Sequence, residues 1–281
     1  DLRLNILSNI YSYTQQYEKH YESISLRAKL FAAHPHLYDA EDRLLLVARL
    51  IRSCMGLGKI KESNEAVKQY FEISPLTDRG RQNHFAQSLI YVVPFWIKFQ
   101  QYEEAIKLAS DAYDFLGKGG GYLNGLTKHD VYHSYLQLFI ITEKYDKALD
   151  WFHLQQQETV APGTEGDFLR GQLCAIIAHF ELGNSGVVTS MCRAIQRTLK
   201  DQPFLVNTER VFTRFIQKIP PLAEQQEHWE KFGTALSPIR EGEEKLKFAY
   251  LDFAEWVESK IQKKPLRQII EEKRRRIEKH G

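Results

Sequence analysis

The stretch Gln100-Gln-Tyr-Glu-Glu-Ala105 decides the fold, because it returns 43 residues later as Glu143-Lys-Tyr-Asp-Lys-Ala148. In both, two polar residues lead into a tyrosine, and an alanine follows the tyrosine by three. Upstream, Gly58-Lys-Ile-Lys-Glu-Ser63 has the same form with isoleucine as the large residue, and Gly183-Asn-Ser-Gly-Val-Val188 is a looser copy. A fainter version is read at Tyr21-Glu-Ser-Ile24. Counted from turn to turn, 58, 100, 143 and 183 lie 42, 43 and 40 residues apart. A fixed period of this size marks stacked supersecondary units.

The pattern has a physical reason. Two antiparallel helices joined by a tight turn need a wedge at the corner and a small residue where the backbones come closest. Glu103, Glu104 and Asp146 place negative charge in the first turn of the second helix, where the helix dipole favours it. Between the turns the apolar residues recur at three- and four-residue steps: Leu44, Val47, Leu50, Ile51 and Cys54; Leu89, Val92, Val93 and Trp96; Tyr132, Leu136, Phe139 and Ile140; Leu169, Leu173, Ile176 and Phe180. That is the stripe of a buried helix face. Gly186-Val-Val-Thr189 is the one short β-like run, and its helical neighbours outvote it. The chain is therefore expected to be all-α. Helices are predicted over about 2–16, 20–33, 40–56, 61–73, 80–99, 103–116, 127–142, 146–157, 166–182 and 186–200.

These residues resemble the tetratricopeptide repeat, whose turn reads Gly-x-Tyr-x-x-Ala with small residues further along the second helix. Tyr102 and Ala105, with Ala109 and Ala112, fit it well, as do Tyr145 and Ala148; Ile60 and Ser63 with Pro75 fit moderately, and Gly183 with Val188 poorly. The resemblance covers roughly residues 20–200. The step exceeds the family's period of about 34 residues, and the first helix lacks the family's Trp-x-x-Leu-Gly signature. The resemblance implies a right-handed solenoid of antiparallel helical hairpins over 1–200, with a step of about 42 residues. It also implies that the first helix of each pair lines a concave face. Carried onto this chain, polar positions one turn from the packing stripe are Arg52, Gln87, Asp130, His133, Gln137 and Arg170. Such a row suits an extended peptide. Pro94 inside the second of these helices is expected to kink it and widen the groove.

Past residue 200 the pattern changes. Phe204–Ile219 reads as helical, and Pro220-Pro221 stops it and starts a helix carrying Trp229 and Phe232. After Ser237-Pro238 a long helix is predicted from near Glu241, with Leu246, Tyr250, Phe253, Trp256, Val257 and Ile261 facing inward. An array must cover the apolar face of its last repeat, so 201–264 is read as a C-terminal helical cap. Pro265 separates off a charged helix over 265–281 with little apolar stripe, which is expected to be dispensable for folding.

Composition narrows the function classes. Apolar residues make up 43% and charged residues 26%, ordinary for a folded protein. No stretch approaches 18 uncharged apolar residues, so no membrane helix is expected. Cys54, Cys174 and Cys192 are far apart, odd in number and each in a helical apolar stretch, which predicts buried thiols in a reducing, cytoplasmic setting. The chain opens at Asp1 already in helical pattern, as a partial or processed chain would. The net charge of +2 hides a basic tail: from Lys260 to His280 nine Lys and Arg face three Glu.

Motifs for chemistry are weak. Gly117-Lys-Gly-Gly-Gly121 has neither a preceding strand nor a following Gly-Lys-Ser/Thr, so it reads as a loop and not as a phosphate cradle. His129 and His133 share a helix face, as metal ligands can, but two histidines do not make a site; His34-Pro-His36 reads as a hairpin end with no role. The tail sequence Lys273-Arg-Arg-Arg276 lacks the interleaved aromatics that nucleic-acid contacts use. No cofactor, metal or nucleophile motif stands out, and the expected function is a non-catalytic scaffold for a protein or peptide. The alternatives are an enzyme or small-molecule sensor with a pocket in the concave face, or a module engaging nucleic acid or an acidic partner through the tail.

The repeat register makes a direct test. Ala105→Glu or Ala148→Glu should each lower stability by about 3 kcal/mol or more, because an unpaired charge would be buried at the helix crossing. Thermal melts of the two variants check it; parent-like melting would mean that the turns are misaligned.

Overall fold

In a computed structural model, described over residues 2–14, 16–34, 36, 39–121, 123–158, 165–201, 207–219, 225–241 and 251–280, the regular elements are helices, and no strand occurs among the described residues. The chain divides into two compact units, residues 1–127 and 128–281. The first unit holds α1 (Leu2–Tyr13), α2 (Tyr17–Ala33), α3 (Ala40–Gly56), α4 (Ile60–Glu72), α5 (Asp78–Lys98), α6 (Tyr102–Lys107) and α7 (Ala109–Gly117). Helix α8 (Gly125–Ile141) begins at the division, and its body belongs to the second unit. There it is followed by α9 (Tyr145–Gln156), α10 (Glu165–Glu181), α11 (Ser185–Asp201), α12 (Asn207–Ile216), α13 (Gln225–Glu241), α14 (Phe253–Gln262) and α15 (Leu266–His280).

The turns are built alike. Gly58, Gln100, Glu143 and Gly183 all adopt left-handed backbone, with φ of 69°, 62°, 56° and 77°. The residue after each donates its N–H five positions back: Lys59 to Cys54 at 2.9 Å, Gln101 to Trp96 at 2.7 Å, Lys144 to Phe139 at 2.8 Å and Asn184 to His179 at 2.8 Å. The left-handed residue itself donates three back, to Met55, Ile97, Ile140 and Phe180 respectively. This is the Schellman pairing, which satisfies carbonyls that a helix end leaves open and turns the chain sharply. The five-back bond also joins Gln16 to Tyr11 at 2.9 Å. The first turn thus lies just before Tyr17, and the faint copy read at Tyr21–Ile24 falls inside α2. With that correction the repeat turns carry the bond at 16, 59, 101, 144 and 184, steps of 43, 42, 43 and 40, while two further copies, at Gly120 and Lys264, close α7 and α14.

Beyond each turn the expected small or apolar residue is buried: Ser63, Ala105 and Ala148 are fully covered and Val188 nearly so. Close approach shows at Gly56 too, where an added Cβ would lie 2.3 Å from the Tyr17 ring of α2. In the first unit α3 is central and packs on α2, α4 and α5. Its start is fixed by Asp39, whose carboxylate accepts the Asp42 N–H at 2.8 Å, and its buried stripe includes Leu44, Ala48, Ile51 and Cys54. Thr77 caps α5 in the same way, accepting the Gly80 N–H at 2.9 Å. Helix α5 continues through the buried Pro94 to Lys98. The helix predicted over 103–116 is two pieces, α6 and α7, with right-handed backbone at Leu108 between them.

In the second unit Tyr135 of α8 stacks on Trp151 of α9 with ring centroids 4.2 Å apart. From α9 to α15 each helix packs on the next. Phe180, Phe212, Trp229, Phe232, Phe253 and Trp256 form an aromatic cluster across α10, α12, α13 and α14. Helix α13 runs through Pro238, although the sequence around that proline reads as a helix end. The proline falls in the last turn, where it removes one backbone bond, while Trp229, Phe232 and Leu236 hold the helix by burial. Glu241, near which a helix start is predicted, is instead the last residue of α13; Leu246, Tyr250 and Pro220-Pro221 lie outside the described residues. Helix α14 begins at Phe253, capped by Asp252, whose carboxylate accepts the Ala254 N–H at 2.9 Å.

The charged terminal helix is not a free tail. Leu266 and Ile269 are buried, and the Leu266 N–H donates to Glu143 at 3.1 Å. Lys273 pairs with Glu255 and, at 3.5 Å, with Asp252; Lys264 pairs with Glu272 at 2.9 Å. The segment 265–281, expected to be dispensable for folding, is thus packed on the unit through two apolar residues, Lys273 and Glu272.

The turn geometry has a measurable consequence. A side chain in left-handed backbone is strained, and glycine removes that strain at some entropic cost. Gln100→Gly should therefore stabilise the protein by roughly 0.5–1 kcal/mol, read as a higher urea midpoint at constant slope. A lower midpoint would contradict the left-handed turn at this position.

Candidate functional site

The six sequence-derived positions divide between the units. In the first, Arg52 is exposed on α3 and Gln87 is half-buried on α5, helices that pack on each other. Gln87 donates to Asn83 at 3.3 Å through Nε2, and its Oε1 is buried with no hydrogen-bond partner. Beneath Arg52, the buried Ser53 hydroxyl lies 2.5 Å from His20 Nδ1 and 3.0 Å from the Arg49 carbonyl. Burial, helped by the charges of Arg52 and Arg49, brings the His20 pKa down to about 4. A neutral imidazole therefore underlies this part of the α3 surface.

In the second unit Asp130 is exposed on α8, His133 is half-buried one turn on, and Arg170 is half-buried on α10. The structure brings His133 and Arg170 together: burial, then the Arg170 charge, brings the His133 pKa down to about 3. Its Nδ1 is buried with no hydrogen-bond partner. Gln137 departs from its expected place. It is 3% exposed, and its Oε1 accepts the Leu251 N–H at 2.7 Å. Helix α8 is covered on this face by a segment 114 residues further on, so a position that reads as solvent-facing serves instead as an acceptor for the start of α14.

Around these lie polar contacts that the sequence did not announce. Glu158 receives Lys128 and the Tyr132 hydroxyl, each at 3.0 Å, in a largely covered cluster. His129 is buried and approaches Gln155 at 3.4 Å. Gln155 presses on Gly171, where an added Cβ would lie 2.2 Å from Oε1. A glycine in the middle of an apolar helical stretch was the available signal for this close crossing of α9 and α10.

The other motifs find structural places. Gly119, Gly120 and Gly121 all have positive φ, and the amides of Gly119 and Gly120 cap α7 by donating to Leu116 and Phe115 at 2.9 and 3.0 Å. In the tail Arg267 pairs with Glu271 at 2.9 Å, so its charge is partly internal. Among the described residues no three His, Cys, Asp or Glu side chains gather as a metal set, and no helix is long and apolar enough to cross a membrane. All three cysteines are buried and unbridged; burial pushes Cys54 and Cys192 up to about 11 and Cys174 up to about 12, so they are protonated thiols and poor nucleophiles.

No family model, curated protein or solved structure matches the chain.

The histidines tie stability to pH. His133 and His20 stay neutral in the fold to about pH 3 and 4, whereas the unfolded chain protonates them below about pH 6.5. Acid therefore favours unfolding, by at most about 1.4 kcal/mol per pH unit and histidine. Stability should fall from pH 6.5 to 5, and His133→Gln should make that fall shallower. Urea midpoints at the two pH values decide; an unchanged slope would mean that His133 is not held neutral.

Proposed function

We propose that the chain is a non-catalytic scaffold binding a protein or peptide, in which the helix pairs of each unit stack as a right-handed, tetratricopeptide-like array of antiparallel hairpins. The observation that carries this reading is that the turns matching the sequence repeat share one five-back backbone bond, at 16, 59, 101, 144 and 184, steps of 43, 42, 43 and 40 residues. A turn repeated at even spacing sets helix pairs side by side, and an array of such pairs offers a continuous surface. The first helices α3 and α5 in one unit, and α8 and α10 in the other, carry the polar positions. Arg52 and Gln87 serve the first surface, and Asp130, His133 and Arg170 the second. Gln137 leaves this set because its acceptor is occupied by Leu251. Three buried, unbridged cysteines support a reducing, cytoplasmic setting.

Random-peptide display on the intact protein tests the reading, with one paired substitution for each surface. At least one of Arg52→Ala/Gln87→Ala and Asp130→Ala/Arg170→Ala should weaken the enriched peptides tenfold or more while the helical melt holds. Equal binding by parent and both variants would overturn the assignment of these surfaces.

A further inference from the structure

Helix α11 is divided cleanly along its length. Val188, Cys192, Ile195 and Leu199 are buried at steps of four, three and four residues. The opposite stripe, Gly186, Thr189, Ser190, Arg193, Gln196 and Arg197, lines an open groove of about 730 Å³. Arg193 and Arg197 are exposed and, among the described residues, neither has an acidic partner. That sets them apart from the tail, where Arg267 and Lys273 are paired within the protein. Two of the remaining polar groups are spent internally: Thr189 donates to the Ser185 carbonyl at 3.0 Å, and Gln196 donates to Gln217 at 3.2 Å. Ser190 is exposed, and around Gly186 no atom beyond its own helix backbone and chain neighbours lies within 4 Å of where a Cβ would stand.

We propose that this groove binds an extended acidic peptide whose alternate carboxylates pair with Arg193 and Arg197. Four residues along a helix rise about 6 Å, and alternate side chains of an extended chain stand about 6.6 Å apart. A strand laid along α11 therefore meets both guanidinium groups with side chains from one of its faces. Each guanidinium can take a carboxylate through two parallel hydrogen bonds. Gly186 and Ser190 leave room for the peptide backbone, and the Ser190 hydroxyl can donate to a peptide carbonyl. Charge complementarity selects the occupant, since among the described residues the groove lining has two cations without an acidic partner and no acid. Among the described residues it also has no aromatic side chain, the platform on which single-stranded nucleic acid stacks its bases. The site lies on the second helix of its pair, so it is separate from the surfaces assigned under the proposed function and stands or falls without them.

Fluorescence anisotropy on the intact protein tests it with a labelled peptide of alternating glutamate and serine, about eight residues long so that it spans the groove. The comparison ligands are an alternating glutamine–serine peptide of the same length, a block peptide with all its glutamates before its serines, and an oligothymidine of matching length. The parent should bind the alternating acidic peptide at least tenfold tighter than its glutamine counterpart and more tightly than the block peptide. Binding should weaken with salt, as exposed charges are screened. Arg193→Gln/Arg197→Gln should lose tenfold or more, whereas Arg52→Ala/Gln87→Ala should bind the acidic peptide like the parent. Arg193→Glu/Arg197→Glu should switch preference to an alternating lysine–serine peptide, which shows that a folded protein lost the acidic ligand. No saturable binding of the alternating acidic peptide, equal binding by the arginine variants, or tighter arginine-dependent binding of oligothymidine would each overturn the proposal.

Discussion

Everything in this fold hangs on a helix end closed by two backbone hydrogen bonds. At the turns ahead of α4, α6, α9 and α11, one N–H donates five residues back and its predecessor donates three back, around a left-handed residue. The pairing satisfies carbonyls that would otherwise be stranded and returns the chain at a fixed angle. Because the geometry is backbone geometry, it tolerates glycine at 58 and 183 but also glutamine at 100 and glutamate at 143. The side chains are then chosen for what the second helix must do: a large residue at the corner, and a small or apolar one three positions on, where Ala105 and Ala148 have no exposed surface.

Glu143 shows how the second unit uses such a turn twice. Its backbone makes the turn between α8 and α9, and its carboxylate accepts the first N–H of α15 at 3.1 Å. Six residues earlier Gln137 accepts the Leu251 N–H ahead of α14. Glu181, at the end of α10, takes the Trp256 indole N–H at 2.6 Å and pairs with Lys260. Three acceptors on α8 to α10 thus fasten the last two helices of the chain. Charged and amide groups in partly dry surroundings are costly unless paired, so these bonds specify where α14 and α15 lie as well as adding to their hold.

Where a feature is local, it can be read. The span of α3 matches its predicted 40–56, and most helices through α11 fall within a residue or two of expectation, because a buried stripe and its turn signals are written within each helix. The first turn is misplaced by about four residues, since Tyr17 and Tyr21 are both aromatic and the positions before Tyr17 hold no glycine. Pro238 misleads because its local preference is outweighed by aromatic burial contributed from other helices. Gln137 cannot be read at all: its partner is 114 residues away, and polar identity at a helical position carries no mark of what will cover it. His133 is legible as a polar neighbour on α8, but its held neutrality depends on Arg170 from α10.

The division between committed and uncommitted polar groups bears on what the molecule can do. Inside the second unit, Gln137, Glu143, Glu158 and Glu181 are each engaged with the fold, and the cysteine thiols are protonated by burial. A group engaged in this way cannot turn to a ligand without exposing its old partner, at a cost of about 1–3 kcal/mol per unsatisfied buried atom. Recognition is less costly where donors already face solvent, and Arg193 and Arg197 do so four residues apart on a rigid helix. Holding two guanidinium groups in register lowers the ordering cost of binding, whereas the same charges on a free tail would have to be gathered first. The buried half of α11 is thus what makes its exposed half a recognition surface: Val188, Cys192, Ile195 and Leu199 fix the helix's rotation, and that rotation aims both arginines along one line.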